Sequence, residues 1–152
     1  VVRPGNLYGP FDKYSHQESK VIAALIRRAV ERHDPFPLWG DGEDIKDFLF
    51  IDDFIEALLL TLKSANDIGP INIASGIPIT INKVLEEILS ITGHDGCKVE
   101  RDITKPTMIP ERLIDISKAH TELNWYPSVS IRDGLSKTVK WYNEYFKDST
   151  PN

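Results

Sequence analysis

The residues best suited to chemistry are cations on short loops or at the ends of elements: Arg3, Lys20, Arg28, Lys46 and Lys105. Taken singly, each reads as a solvated surface charge. Lys46, however, opens an apolar strand and Lys105 lies in a Pro-rigid loop, places where a solvating face has little reason to put one cation. With Trp39 as a rim aromatic and Asn6 as an amide donor, the set suits a base-stacking surface and a diphosphate clamp, because charge-assisted hydrogen bonds to phosphate oxygens are among the strong ones. The other familiar constellations are missing. GxGxxG, the P-loop pattern, HExxH, paired CxxC and GxSxG do not occur. His16, His33, His94 and His120 lack metal-ligand spacing and read as surface histidines. Asp52 and Asp53 read as a helix cap and a charge favouring the helix's positive end rather than as paired catalytic carboxylates. Cys97 reads as a half-buried structural thiol.

The elements that must position these residues centre on WGDGEDIKDFLFIDDF, from Trp39 to Phe54. GDG predicts a tight turn at which the chain doubles back, since Asp followed by Gly supplies positive φ angles. Lys46–Ile51 then reads as a strand, with Asp52 capping a helix that runs to about Ala65. That helix is apolar nearly all round, which predicts burial on several sides. Upstream, Val1 and Val2 read as the end of a buried strand, and RPGNLYGP as a loop bordering a ligand. A helix from about Gln17 to His33 carries Val21, Ile22, Leu25, Ile26, Ala29 and Val30 on one face, and Phe36–Trp39 forms a short strand. Downstream, NDIGP is a turn, INIA a short buried strand, and Thr80 caps a helix closed by Gly93. CKVERDI is a strand and TKPTMIPER a Pro-divided loop. A short helix opens near Ser117 and ends at a left-handed Asn124, and a last helix starts at Ser130 with Asp133 in an approximate capping box and ends in a polar tail. Short strands interleaved with helices indicate mixed α/β structure.

A chain of 152 residues is long enough for one domain with a sizeable core. Net charge of −5 argues against a nucleic-acid partner while leaving room for a few local cations to hold one small anion. No apolar run approaches a membrane span. A single cysteine excludes an internal disulfide and points to a reducing compartment, so we expect a cytoplasmic protein. The sequence opens on VVRPG, and its one methionine is Met108, so it reads as a piece of a longer chain.

The stretches RPGNLYGP, VIAALIRRA, WGDGEDIKDFLFIDDF, INIASG, PERLIDISKA and ELNWYPSVSIRDGL, in this order and spacing, resemble the C-terminal, substrate-binding half of an extended short-chain dehydrogenase/reductase acting on nucleotide sugars. That is the family of UDP-glucose 4-epimerase and GDP-L-fucose synthase. The resemblance implies an α/β fold, the C-terminal part of a Rossmann-type protein with its small mixed α/β substrate-binding domain, over residues 1–152, with the dinucleotide-binding domain outside this chain. It implies that Asn6 contacts the diphosphate, Arg28 reaches the nucleotide, Trp39 packs on the base, and Lys46 and Lys105 hold the diphosphate from opposite sides. Pro4 and Leu7 would lie against the nicotinamide of NAD or NADP. For Arg28, simple solvation beside Arg27 and Arg32 stays open.

LYGPFDKY, the RR pair and TKP resemble GDP-L-fucose synthase more than the 4-epimerases. Lys20, however, stands where those synthases carry a histidine acid, and lysine is a poor general acid at neutral pH. TKPTMIP lacks their KPDG form, and Lys46 stands where the family usually has Arg. The family's YxxxK pair and glycine-rich loop do not occur here. No catalytic residue is therefore assigned within this chain. The expected function is nucleotide-sugar recognition for a parent epimerase, dehydratase or reductase acting at a sugar C4, a homodimer when full length. The alternative is a non-catalytic folded module.

Overall fold

The structure is a computed structural model that describes residues 1–15, 18–64, 68–105 and 109–146. His16, Gln17, the turn at Asn66, the middle of TKPTMIPER and the polar tail lie outside the described residues; the helix expected from about Gln17 instead starts at Val21, residues 18–20 being non-helical and Lys20 its N-cap.

Seven short strands and five helices alternate along the described chain, as a mixed α/β reading requires. Strand β4 (Ile45–Phe50) is the organiser. It pairs in parallel with β2 (Asn6–Tyr8) and antiparallel with β6 (Pro78–Thr80). Two smaller parallel sheets flank this one: β1 (Val2–Pro4) with β5 (Ile71–Ile73), and β3 (Phe36–Trp39) with β7 (Val99–Asp102). Successive side chains of a strand point to opposite faces, and in β4 this alternation separates two cores. Phe48 and Phe50 join Tyr8, the helix α1 (Val21–Val30), α3 (Ile81–Thr92) and α5 (Ile131–Tyr145) in the larger one. Leu49 points the other way. It packs with Ala57, Ile71, Ile73, Ala119 and Trp125, between α2 (Ile51–Lys63) and α4 (Ser117–Leu123).

Local signals set the helix ends. Thr80 accepts from Lys83 N at 3.1 Å, and Gly93 closes α3 at φ 62°. Ser130 Oγ accepts from Asp133 N at 3.1 Å and donates to the Asp133 carboxylate at 2.6 Å. Asn124 ends α4 at φ 48°.

Four further expectations are corrected. RPGNLYGP is two strands rather than a loop: Gly5 separates β1 from β2 and lies so close to Ala74 that an added Cβ would sit 3.0 Å from its methyl. Val2 starts an exposed to half-buried strand rather than ending a buried one. Gly40 and Gly42 do adopt positive φ, 77° and 83°, yet β3 and β4 do not pair; each finds its partners in a different sheet. Finally, α2 begins at Ile51 with Phe50 as its N-cap, so Asp52 is no cap, and only Asp53 and Ala57 of this helix are buried. Ile55, Leu59 and Leu62 are exposed at 47%, 49% and 75%. Uniform apolarity hid an uncovered face.

Candidate functional site

Between α1 and the β2–β4 face lies a cleft of about 500 Å³, within the usual size of a small-molecule site. Asn6 and Tyr8 from β2, with Lys46 and Phe48 from β4, form its floor, and Val21, Ile22, Ala24, Leu25 and Arg28 of α1 form one wall. Leu38 and Trp39 of β3 bound one end, and Asp44 lines the cleft beside Lys46. Asp12, Ser19 and Lys20, at the start of α1, bound the other.

The polar groups are held from the backbone upward. Asn6 sits opposite Phe48 in the parallel register and donates its side-chain amide to Asp47 O at 2.9 Å. Arg28 is half-buried and donates to Pro37 O at 3.0 Å, which ties the end of α1 to β3. Burial pulls its guanidinium below the ordinary value, neighbouring Arg27 adds to this and Glu31 opposes it; a guanidinium remains charged in proteins regardless. Lys46 donates to Ile109 O and pairs with Asp44 at 3.2 Å. Lys20 pairs with Asp12 at 3.5 Å. Tyr8 donates to Ile131 O at 3.4 Å, and burial raises its phenol pKa, with Asp53 and Asp133 contributing, so it stays protonated. Trp39 is 63% exposed, a flat apolar face at the rim, with Lys105 Nζ 5.5 Å from its ring centre.

Six of the eight expected residues, Asn6, Leu7, Lys20, Arg28, Trp39 and Lys46, line one cleft. The other two do not. Lys105 rides outside on Trp39, so it does not face Lys46 across the cavity as a clamp would require. Pro4 ends the exposed β1, beside Ile73 in a separate sheet. Solvation does not describe Arg28, whose side chain is bonded into the wall.

Sequence reasoning missed both acidic partners, Asp12 and Asp44. Asp44, Lys46 and Phe48 share a period of two, so alternation could have found Asp44; the link from Asp12 to Lys20 crosses a loop and left no local signal. Asp53 was assigned to the helix dipole. In the structure it is buried and accepts from Ser128 N, Ser128 Oγ and Val129 N, joining α2 to the loop before α5. His94 is not a plain surface residue: its ring bonds to His33 O at 2.9 Å. Cys97 is half-buried, with its thiol pKa raised first by burial, in keeping with a structural role. No group of metal-ligating side chains occurs among the described residues, and no described helix is long and apolar enough to cross a membrane.

The model of the NAD-dependent epimerase/dehydratase family matches residues 1–74. Over 143 residues the chain is 38% identical to GDP-L-fucose synthase 1 of Arabidopsis thaliana, covering 91% of this chain and 44% of that one. Among solved structures, UDP-glucose 4-epimerase of Thermotoga maritima with UDP-glucose superposes with a TM-score of 0.84 at 29% identity, over 95% of this chain and 45% of that one. UDP-glucuronic acid 4-epimerase of Bacillus cereus, in complex with UDP-glucuronic acid and NAD, gives 0.84 at 26%, with the same coverage of 95% and 45%. The chain belongs to the NAD-dependent epimerase/dehydratase family and has the α/β fold of its Rossmann-type, extended short-chain dehydrogenase/reductase members. It spans about half the length of the relatives it matches.

Proposed function

We propose that this chain is the nucleotide-sugar-recognising part of an NAD-dependent epimerase, dehydratase or reductase that acts at a sugar C4, with GDP-L-fucose synthase-like and UDP-sugar 4-epimerase-like chemistry as its two nearest forms. One observation carries the reading: Lys20, Arg28 and Lys46 enter a single, largely apolar cleft together with the Asn6 amide and a rim tryptophan. Concentrated cations in a half-buried cleft favour a dianionic bridge, and an exposed indole face favours a base. Lys46, in mid-floor, is assigned to the diphosphate, and Trp39 to the base.

Recognition, rather than hydride transfer, is what these residues do in this reading. The dinucleotide supplies hydride chemistry when bound. Of the pair expected beside it, only Leu7 reaches the cleft, and with no GxGxxG in the chain these residues do not make a dinucleotide site on their own. A cytoplasmic, homodimeric full-length protein completes the proposal.

Titration calorimetry of the chain against UDP, GDP, CDP and dTDP tests it. Binding of at least one diphosphate is expected. Lys46→Ala should weaken it by roughly tenfold or more, the loss of a charge-assisted hydrogen bond, whereas Lys105→Ala, outside the cleft, should change it far less. No binding to any of the four, or equal losses in both variants, would sink the assignment.

A further inference from the structure

No strand ladder sets the spacing between Trp39 and Lys46. Strand β3, which ends at Trp39, pairs with β7, whereas β4, which carries Lys46, pairs with β2 and β6. The two strands are joined in sequence by the loop of residues 40–45. A site binds best when its groups are held in the bound geometry before the ligand arrives, so whatever fixes this loop bears on how well the indole and the ammonium act together.

The start of α3 fixes it. The first N–H groups of a helix have no partner within the helix, and here Ile81 N donates to Asp44 O at 3.1 Å and Asn82 N to Gly42 O at 2.9 Å. The Asn82 side chain extends the grip. Its Nδ2 donates to Asp41 O at 3.1 Å and to the Glu43 carboxylate at 2.6 Å, and its Oδ1 accepts from Arg101 Nη2 at 3.3 Å. Arg101 Nε in turn donates to Asp41 O at 3.2 Å. Arg101 belongs to β7 and precedes Asp102, which stands opposite Trp39 and whose carbonyl accepts from Gly40 N at 2.9 Å. One amide thus joins the strand beside Trp39 to the loop that leads into Lys46. The fit is close: Gly42 holds φ 83°, and a Cβ added to it would lie 2.5 Å from Asn82 Cγ.

Neither Asn82 nor Arg101 lines the cleft. We propose that Asn82, braced by Arg101, is a positioning residue: it fixes the loop between Trp39 and Lys46 and so sets the spacing at which the indole meets a base while Lys46 holds the diphosphate. The inference rests on the nucleotide-sugar reading and extends it to residues outside the cleft. Truncating the amide releases Asp41, Glu43 and Arg101, all exposed, so water takes up their freed groups and the loop loosens while the cores stay packed.

The test is calorimetry of the chain with UDP, GDP, CDP, dTDP and inorganic pyrophosphate, on the native sequence and on Asn82→Ala, Arg101→Ala, Trp39→Ala and the double variant Trp39→Ala with Asn82→Ala. Pyrophosphate uses the Lys46 end alone, whereas a nucleoside diphosphate uses both. The native chain should bind at least one nucleoside diphosphate roughly fivefold or more tighter than pyrophosphate, the least expected of one base–aromatic stack. Asn82→Ala should cut that preference toward the level of Trp39→Ala while leaving pyrophosphate affinity in place, and Arg101→Ala should cut it in part. The double variant should lose no more than Trp39→Ala alone, because the amide acts through the indole. An unchanged preference in Asn82→Ala would overturn the inference and leave the function standing. Equal losses for both kinds of ligand would also overturn it, reducing Asn82 to a holder of the fold, as would a further loss in the double variant. Arg101 is exposed, so if Asn82→Ala does not fold, Arg101→Ala decides: an unchanged preference there overturns the inference. Failure of the native chain to bind any of the five ligands would overturn the function and the inference together.

Discussion

Asp47 is fully buried at 0% exposure, and it does not face the cleft. Its carboxylate accepts from Ser75 N, Ser75 Oγ and Gly76 N at 2.7–2.9 Å, so the strand that carries Lys46 inward is bolted on its other face to the turn after β5. Replacing it with alanine would strand three buried or half-buried donors. We expect Asp47→Ala to lower stability by roughly 3 kcal/mol, given about 1–3 kcal/mol for each unsatisfied buried group with partial relaxation, read as a lower urea midpoint at unchanged slope. A loss below about 1 kcal/mol would mean that the turn repairs itself. Glu87 provides the pH counterpart. Arg132, then Lys83, holds its carboxyl below the ordinary 4.5, so its contribution is present above that value and fades as pH falls through the lowered folded value. The pair is solvent-screened, so its worth is below about 1 kcal/mol. Glu87→Gln should narrow the gap to the native protein as pH drops below 4.5; a gap that widens there would contradict it. Legibility at this scale followed chemical type. Lysine on an apolar strand and tryptophan at a turn announce themselves, whereas Asp47 and Asp53 gain their roles from partners 28 and 75 residues away, which no local window contains.

Elements show the same division between local and distant causes. Thr80, Gly93, Asn124 and Ser130 were legible because a cap is decided within four residues. Strand partners were not. The GDG stretch supplied the positive φ values of a reversal, but β3 finds β7 some sixty residues on and β4 finds β2 and β6. Likewise RPGNLYGP carries the composition of a loop and is drawn into two strands because β5 and β4 lie ready to pair with it. Gly134 shows how tightly these elements then fit. It is buried within α5, where alanine is favoured over glycine by about 1 kcal/mol on propensity. Yet a Cβ there would lie 2.2 Å from Tyr8 Oη and 3.0 Å from Phe50 Cδ2. Tyr8 is itself buried and bonded to Ile131 O, so it has little room to withdraw. Overpacking should outweigh propensity, and Gly134→Ala is expected to destabilise by about 1–3 kcal/mol. Because Tyr8 lines the cleft, nucleotide affinity should fall as well. A stabilised variant would show that α5 can slide.

At the scale of the whole molecule, the unexplained feature is what covers α2. Ile55, Leu59 and Leu62 recur at helical spacing on one exposed face, and β1 offers an edge with no partner strand among the described residues. Parallel sheets are normally covered on both faces and extended at their edges, and contiguous apolar surface of this kind drives association. Water contact along such a row costs about 25 cal/mol for each Å² of apolar area, a penalty that a second molecule removes by docking there. This chain, half the length of its relatives, should therefore self-associate with rising concentration. Sedimentation velocity over a wide concentration range would show a weight-average coefficient that climbs. The paired substitution Leu59→Lys and Leu62→Lys should return it toward the monomer value while leaving nucleotide binding intact, because neither residue lines the cleft. A native chain that remains monomeric throughout would overturn the expectation. Association that persists in the doubly charged variant would instead move the contact to the open edge of β1, where backbone pairing rather than apolar burial does the holding.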